Sequence, residues 1–129
     1  MPTATVAKVA DASVLAAYIF GEPRLDEARA LLERTALVEP TLLGYELANA
    51  ARTKCVREPE RREAIVTALE LGLGLDIDWV EVVHPAVLAL ALETGLTAHD
   101  ASYLYIARTL SLPLLTFDTR LLAAAGGRQ

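Results

Sequence analysis

Short apolar runs alternate with longer stretches of helical periodicity along the whole chain. Val6 to Ala10 is a short run holding the β-branched Val6 and Val9, which predicts a buried strand ending at Asp11. Val14 to Phe20 predicts a short helix, punctuated by Gly21, Glu22 and Pro23, and Leu25 to Arg34 predicts a second. Ala36 to Glu39 predicts another strand. Thr41 stands where it can cap a helix running to about Arg57, and Pro59 and Glu60 open one that fades at Gly72 and Gly74. Trp79 to Val83 predicts a strand. Pro85 suits the start of the next helix and Gly95 its end. Thr97 begins a helix to about Leu110, Leu112 to Phe117 predicts a strand, and Thr119 to Ala125 a last short helix. Strands separated by helices predict an α/β fold with a short central parallel sheet flanked by helices. No repeat, low-complexity segment or linker interrupts the pattern, and 129 residues suit one domain spanning positions 1–129.

In such folds ligands bind beyond the carboxyl ends of the strands, near the point where strand order reverses. That rule draws attention to four acids. Asp11 and Asp118 each follow a predicted strand and precede a helix. Either can be a helix N-cap, since an aspartate oxygen accepts backbone N–H groups there. Ser13 could cap the first helix instead and free Asp11 to face a cation. Thr116 supplies a hydroxyl on the same face as Asp118. Asp100 lies three residues after Thr97, a capping-box-like start in which a carboxylate also favours the helix dipole. Glu46 sits on the nearly apolar helix Leu42 to Ala51, where a carboxylate is costly unless it is paired or bound to a cation. Its alternative is a salt bridge to a distant arginine; Asn49 shares its helix face. Carboxylates that converge repel one another, and a hard divalent cation such as Mg²⁺ or Mn²⁺ relieves that repulsion. Zinc is disfavoured, because the chain has one Cys and two His without zinc spacing.

Composition narrows the function classes. Apolar residues reach 53%, slightly above the usual share of about 45–50%, which leaves room for a partner surface as well as a well-filled core. No uncharged stretch exceeds the eleven residues from Val82 to Leu92, too short for a spanning helix, and the N-terminus lacks a signal-peptide pattern. Cys55 is the single cysteine, so no internal disulfide forms, as expected in a reducing cytoplasm. A net charge of −5 argues against coating nucleic acid by bulk charge. Even so, Arg52, Lys54, Arg57, Arg61 and Arg62 cluster, either as a solvated face or as a phosphate-contacting patch. Gly72-Leu73-Gly74 lacks the third glycine of a dinucleotide loop, and there is neither a Gly-Lys-Ser/Thr loop nor a Gly-x-Ser-x-Gly elbow. A phosphotransfer receiver would need an acidic pair after the first strand, where Asp11-Ala12-Ser13 offers one acid.

Four segments, taken together, resemble the PIN-domain ribonucleases, above all the VapC-type toxins of toxin–antitoxin pairs. They are Val9-Ala10-Asp11-Ala12-Ser13-Val14-Leu15, Tyr45-Glu46-Leu47-Ala48-Asn49, the stretch Leu96 to Ala107 with Thr97-Ala98-His99-Asp100, and Leu114-Leu115-Thr116-Phe117-Asp118-Thr119-Arg120-Leu121. They occur in family order and span nearly the whole chain. The resemblance implies a PIN-like three-layer sandwich and Mg²⁺- or Mn²⁺-dependent cleavage of RNA. It implies that Asp11, Glu46, Asp100 and Asp118 form the acidic site, with Ser13, Asn49 and Thr116 in support. Arg52, Lys54 and Arg57 are candidates to contact the RNA backbone. It further implies a homodimer and a neutralising antitoxin. The alternative is a non-catalytic PIN-like module whose acidic pocket receives a partner's arginine. Family members often add a short strand after the last helix; here eleven residues follow Asp118, and that edge strand is not expected.

Overall fold

The computed structural model describes residues 4–126. Four strands form one parallel sheet, β1 (Val6–Ala10), β2 (Thr35–Pro40), β3 (Ile77–Val80) and β4 (Leu114–Leu115), in the order β3-β2-β1-β4. Seven helices flank it: α1 (Ala12–Phe20), α2 (Leu25–Leu32), α3 (Leu42–Arg57), α4 (Arg62–Leu73), α5 (His84–Thr94), α6 (Ala98–Leu110) and α7 (Thr119–Ala124). A single 3₁₀ turn at Pro59–Arg61 leads into α4. The α/β arrangement is the predicted one. Among the described residues no helix is long and apolar enough to cross a membrane.

The chain runs from β1 outward to β2 and β3, then crosses back through α5 and α6 to place β4 on the other side of β1. Strand order therefore reverses at the β1–β4 seam, which puts the expected ligand crevice where Asp11 and Thr116 leave the sheet. Buried Val9, Ala10, Leu37, Val38, Leu114 and Leu115 form the centre of the core. Helix α6, with buried Tyr103, Leu104 and Ile106, packs on β1, β2 and β4, while α1, with buried Val14 and Leu15, packs on α3 and α4.

Several boundaries differ from the sequence expectation, each for a local reason. Val6 is 49% exposed, so only the second half of β1 is a buried strand. β3 begins at Ile77, two residues before the expected Trp79, and ends at Val80. Its last partner is Pro40, which has no N–H with which to extend the ladder. β4 keeps only two paired residues of the expected six-residue run, because the chain turns into the cap of α7. Thr41 stands at the start of α3 with helical dihedrals and makes no side-chain capping bond. Gly95 does end α5, with φ at +76°.

Helices α1 and α4 approach each other closely at Gly72. A Cβ on Gly72 would overlap the Ile19 side chain. Gly72→Ala is expected to lower stability by about 1–3 kcal/mol despite the better helix propensity of alanine. Chemical denaturation compares the two proteins directly.

Candidate active site

Asp11 is buried at the seam, and both of its oxygens are engaged. Oδ1 accepts the Ser13 N–H at 3.1 Å, the Val14 N–H at 3.3 Å and the Ser13 hydroxyl at 2.6 Å. Oδ2 accepts the Thr116 hydroxyl at 2.6 Å. Asp11, and not Ser13, is therefore the N-cap of α1. Ser13 instead joins the acid to the β4–α7 connection, since its Oγ accepts the Phe117 N–H at 3.0 Å. Thr116 does the same one residue further on, accepting the Asp118 N–H at 2.9 Å. Two consecutive backbone N–H groups are thus relayed through two hydroxyls onto the two oxygens of Asp11. Capping uses Oδ1; Oδ2 takes one bond and keeps a lone pair.

Asp118 caps α7 in the same manner, its Oδ1 accepting the N–H groups of Arg120 at 2.8 Å and Leu121 at 3.1 Å. It is exposed, and Thr116 links it to Asp11. Glu46 projects from α3 half-buried, and its Oε1 accepts the Tyr103 hydroxyl of α6 at 2.5 Å. The distant arginine considered for Glu46 is thus replaced by a tyrosine. Asp100 lies in the first turn of α6, where the Thr97 hydroxyl accepts its backbone N–H at 3.2 Å. Asp11, Asp100 and His99 all lie close enough to Glu46 to act on its charge. Asn49, one turn along α3, is exposed.

One acid escaped the sequence reading. Glu39, at the end of β2, is fully buried. Its Oε2 accepts the Ala10 N–H at 2.9 Å, and its Oε1 has no hydrogen-bond partner. The signal was available: an acid closing an apolar run just before Pro40 stands at a strand's carboxyl end, as Asp11 does. Tyr103 was missed as well, because a tyrosine on an apolar helix face reads as core.

Burial pushes the carboxyls of Asp11 and Glu46 above their usual range and that of Glu39 well above it. Hydrogen bonds from Ser13 and Thr116 oppose the shift at Asp11, and the one from Tyr103 opposes it at Glu46. Burial and the adjoining Glu46 carboxylate raise the Tyr103 hydroxyl in turn, so it remains a proton donor. Among the described residues no lysine or arginine forms an ion pair with these acids, and His99 is the cationic group that acts on Glu46. The donors of the pocket are carboxylate oxygens, the set that Mg²⁺ and Mn²⁺ prefer. Among the described residues, no three Asp, Glu, His or Cys side chains form a group that could hold one ion. The arrangement fits an ion that keeps most of its waters and touches few carboxylates, and not a closed cage.

The basic residues divide. Lys54 pairs with Glu22 at 2.5 Å and lies over the Phe20 ring, so its ammonium ties α3 to the α1–α2 turn. Arg61 pairs with Glu58 at 3.2 Å. Arg52 and Arg57 are exposed.

Thr116→Val removes the relay hydroxyl while keeping the shape. It should cost about 1–3 kcal/mol, because Asp11 Oδ2 and the Asp118 N–H both lose a partner; denaturant melts measure the loss. A carboxyl raised by burial favours folding while protonated, and that contribution is lost as pH climbs through the raised value. Metal-free protein should therefore melt several degrees higher at about pH 5.5 than at about pH 7.5. A melting temperature that instead rises with pH over this range would contradict the assignment. The opposite effect of Glu27, held down by Arg24, comes from an exposed pair and is small.

Comparison with known proteins agrees with this geometry. The PIN domain family model matches residues 8–127, a span that contains every acid described above. Ribonuclease VapC3 of Pyrobaculum aerophilum is 35% identical over 119 residues, 88% of this chain and 90% of that protein. The crystal structure of PAE2754 from Pyrobaculum aerophilum superposes with a TM-score of 0.74 at 31% identity, covering 92% of this chain and 79% of that one. The chain belongs to the PIN-domain family, as a VapC-type member of it.

Proposed function

We propose that this protein is a metal-dependent endoribonuclease of the toxin class, cleaving RNA phosphodiesters at the carboxyl end of its sheet. The observation that carries the reading is the buried, doubly relayed Asp11 at the strand-order reversal, with Glu46 and Asp100 within electrostatic reach. The likeness to Ribonuclease VapC3 supports RNA as the substrate.

In this reading Asp11, Glu46, Asp100 and Asp118 hold the ion directly or through its waters. When bound, Mg²⁺ or Mn²⁺ supplies a more acidic water and neutralises charge on the phosphate. The protein does the positioning. Ser13 and Thr116 fix the carboxylate plane of Asp11. Tyr103 holds Glu46 through Oε1 and leaves Oε2 to orient the attacking water and take its proton. Burial raises the proton affinity of Glu46, which suits that task. Exposed Arg52 and Arg57 contact the RNA backbone; Lys54, paired to Glu22, serves the fold first. A homodimer and a neutralising antitoxin belong to the same proposal. The exposed Leu88 and Leu92 on α5 and Leu71 on α4 offer apolar surface for them. A reducing cytoplasm is the compartment proposed.

Purified protein, free of any antitoxin, should cut structured RNA with Mg²⁺ or Mn²⁺ and lose the activity in EDTA. Asp118→Asn separates capping from chemistry, because asparagine caps as well as aspartate. It should melt within about 0.5 kcal/mol of wild type yet cleave at least about tenfold more slowly. Asp11→Asn should abolish cleavage. Cleavage that survives EDTA or Asp11→Asn removes the metal-carboxylate mechanism, whereas a protein that cuts no RNA with either ion favours the alternative, a pocket that binds a partner's arginine without chemistry.

A further inference from the structure

Glu39 is a fully buried acid at this end of the sheet whose position the capping and metal-holding roles above leave unused. In β1 the N–H groups of Val9 and Asp11 point to β4, where they are accepted by Pro113 and Leu115. The N–H of Ala10 therefore points to β2. The β1–β2 register stops at Lys8 and Leu37, although β2 stays paired with β3 as far as Pro40 and Val80. The two strands part, and the Glu39 carboxyl fills the gap. Its Oε2 accepts the Ala10 N–H in place of a backbone carbonyl. Its other oxygen is left fully enclosed and unpartnered, one residue along β1 from Asp11.

A buried carboxyl oxygen without a donor is expensive, and native interiors seldom keep one. No basic side chain forms an ion pair with Glu39 among the described residues. The missing donor must be small enough for an enclosed place beside Asp11. A partner's side chain cannot reach so fully buried an oxygen, and a water is the donor of the right size.

We propose that Glu39 is a fifth carboxylate of the acidic site, a positioning residue that accepts a hydrogen bond from a water on the divalent ion while it holds Asp11 in place through Ala10. The proposal rests on the metal reading above and adds to it a residue that the four-segment likeness does not contain. It also fits the absence of a closed group among the described residues: an ion that keeps its waters needs acceptors for those waters as much as direct ligands.

Glu39→Gln isolates the proposed contact. The glutamine carbonyl can still accept the Ala10 N–H, while an amide that donates replaces the orphan oxygen. Mn²⁺ binding is measured by titration calorimetry on wild type and variant, with melting temperatures in EDTA as the control for folding. The expected result is a dissociation constant raised about 10–100-fold, with a melting temperature in EDTA equal to or above that of wild type. An affinity within about twofold of wild type overturns the proposal and leaves an ordinary buried water as the donor. Glu39→Met, which keeps the volume and removes the charge, carries the same comparison if glutamine strains the sheet. If neither variant folds, the proposal falls as well, because Glu39 is then required by the sheet itself. A wild-type protein that takes up no Mn²⁺ overturns the nuclease reading and this proposal together. Uptake by wild type with unchanged affinity in Glu39→Gln overturns this proposal alone.

Discussion

The carboxyl end of this sheet depends on keeping one carboxylate, Asp11, in a nearly dry place. Burial alone would leave it protonated or displaced. Four hydrogen bonds oppose that, two from backbone N–H groups at the start of α1 and two from hydroxyls. The hydroxyls come from opposite ends of the chain, at Ser13 and Thr116. Each is oriented by an N–H of the β4–α7 connection, so neither can rotate away without stranding a donor. The acid is held by the same bonds that close the first strand onto the last. A change that loosens Asp11 must also loosen the β1–β4 seam, and the strength of the seam fixes where the acid points.

Side chains take over from backbone on both sides of β1 at this point. Toward β4 the ladder ends with Asp11 donating to Leu115, and Ser13 and Thr116 continue it as hydroxyl bridges. Toward β2 the ladder ends earlier, and the Glu39 carboxyl continues it as a substitute carbonyl. A parallel sheet that kept its backbone pairing to the last residue would present only main-chain atoms at its edge. By parting its strands one or two residues early, this sheet gathers side-chain oxygen acceptors where backbone carbonyls would otherwise end the ladder. The topology that reverses strand order at β1–β4 places those acceptors at the ligand-binding position of open α/β sheets.

Most of the fold was legible because its signals are local. Proline and glycine at the helix ends, and apolar runs of strand length, mark Pro85, Gly95, β1 and all seven helices to within a few residues. Lengths of the strands were less legible, since they depend on which partner remains to be paired: β3 stops because Pro40 offers no N–H, and β4 stops because Asp118 begins a cap. Glu39 and Tyr103 were missed for related reasons. A glutamate at a strand end reads as a boundary, and a tyrosine on an apolar helix face reads as filling. Their meaning appears only when β2 lies beside β1 and α6 lies over α3, contacts 29 and 57 residues apart in sequence.

The sequence posed a choice for Asp11 and Asp118 between capping a helix and serving a cation; both residues cap, and the capping leaves one oxygen of each outside the cap bonds. A capping carboxylate uses one oxygen on the backbone N–H groups at the start of its helix. In both residues that oxygen is Oδ1. Locking Oδ1 fixes the plane of the group, and the second oxygen then points where the strand-to-helix turn sends it. The free energy that fixes this direction comes from folding and need not be found again when a ligand arrives. Glu46 reaches the same end by another route. It sits mid-helix, where no orphan N–H is available, and a buried hydroxyl from α6 holds one oxygen instead. Under the proposed function, capping is thus the means by which two of the four acids would be aimed, and a cap signal beside a strand end does not argue against a site.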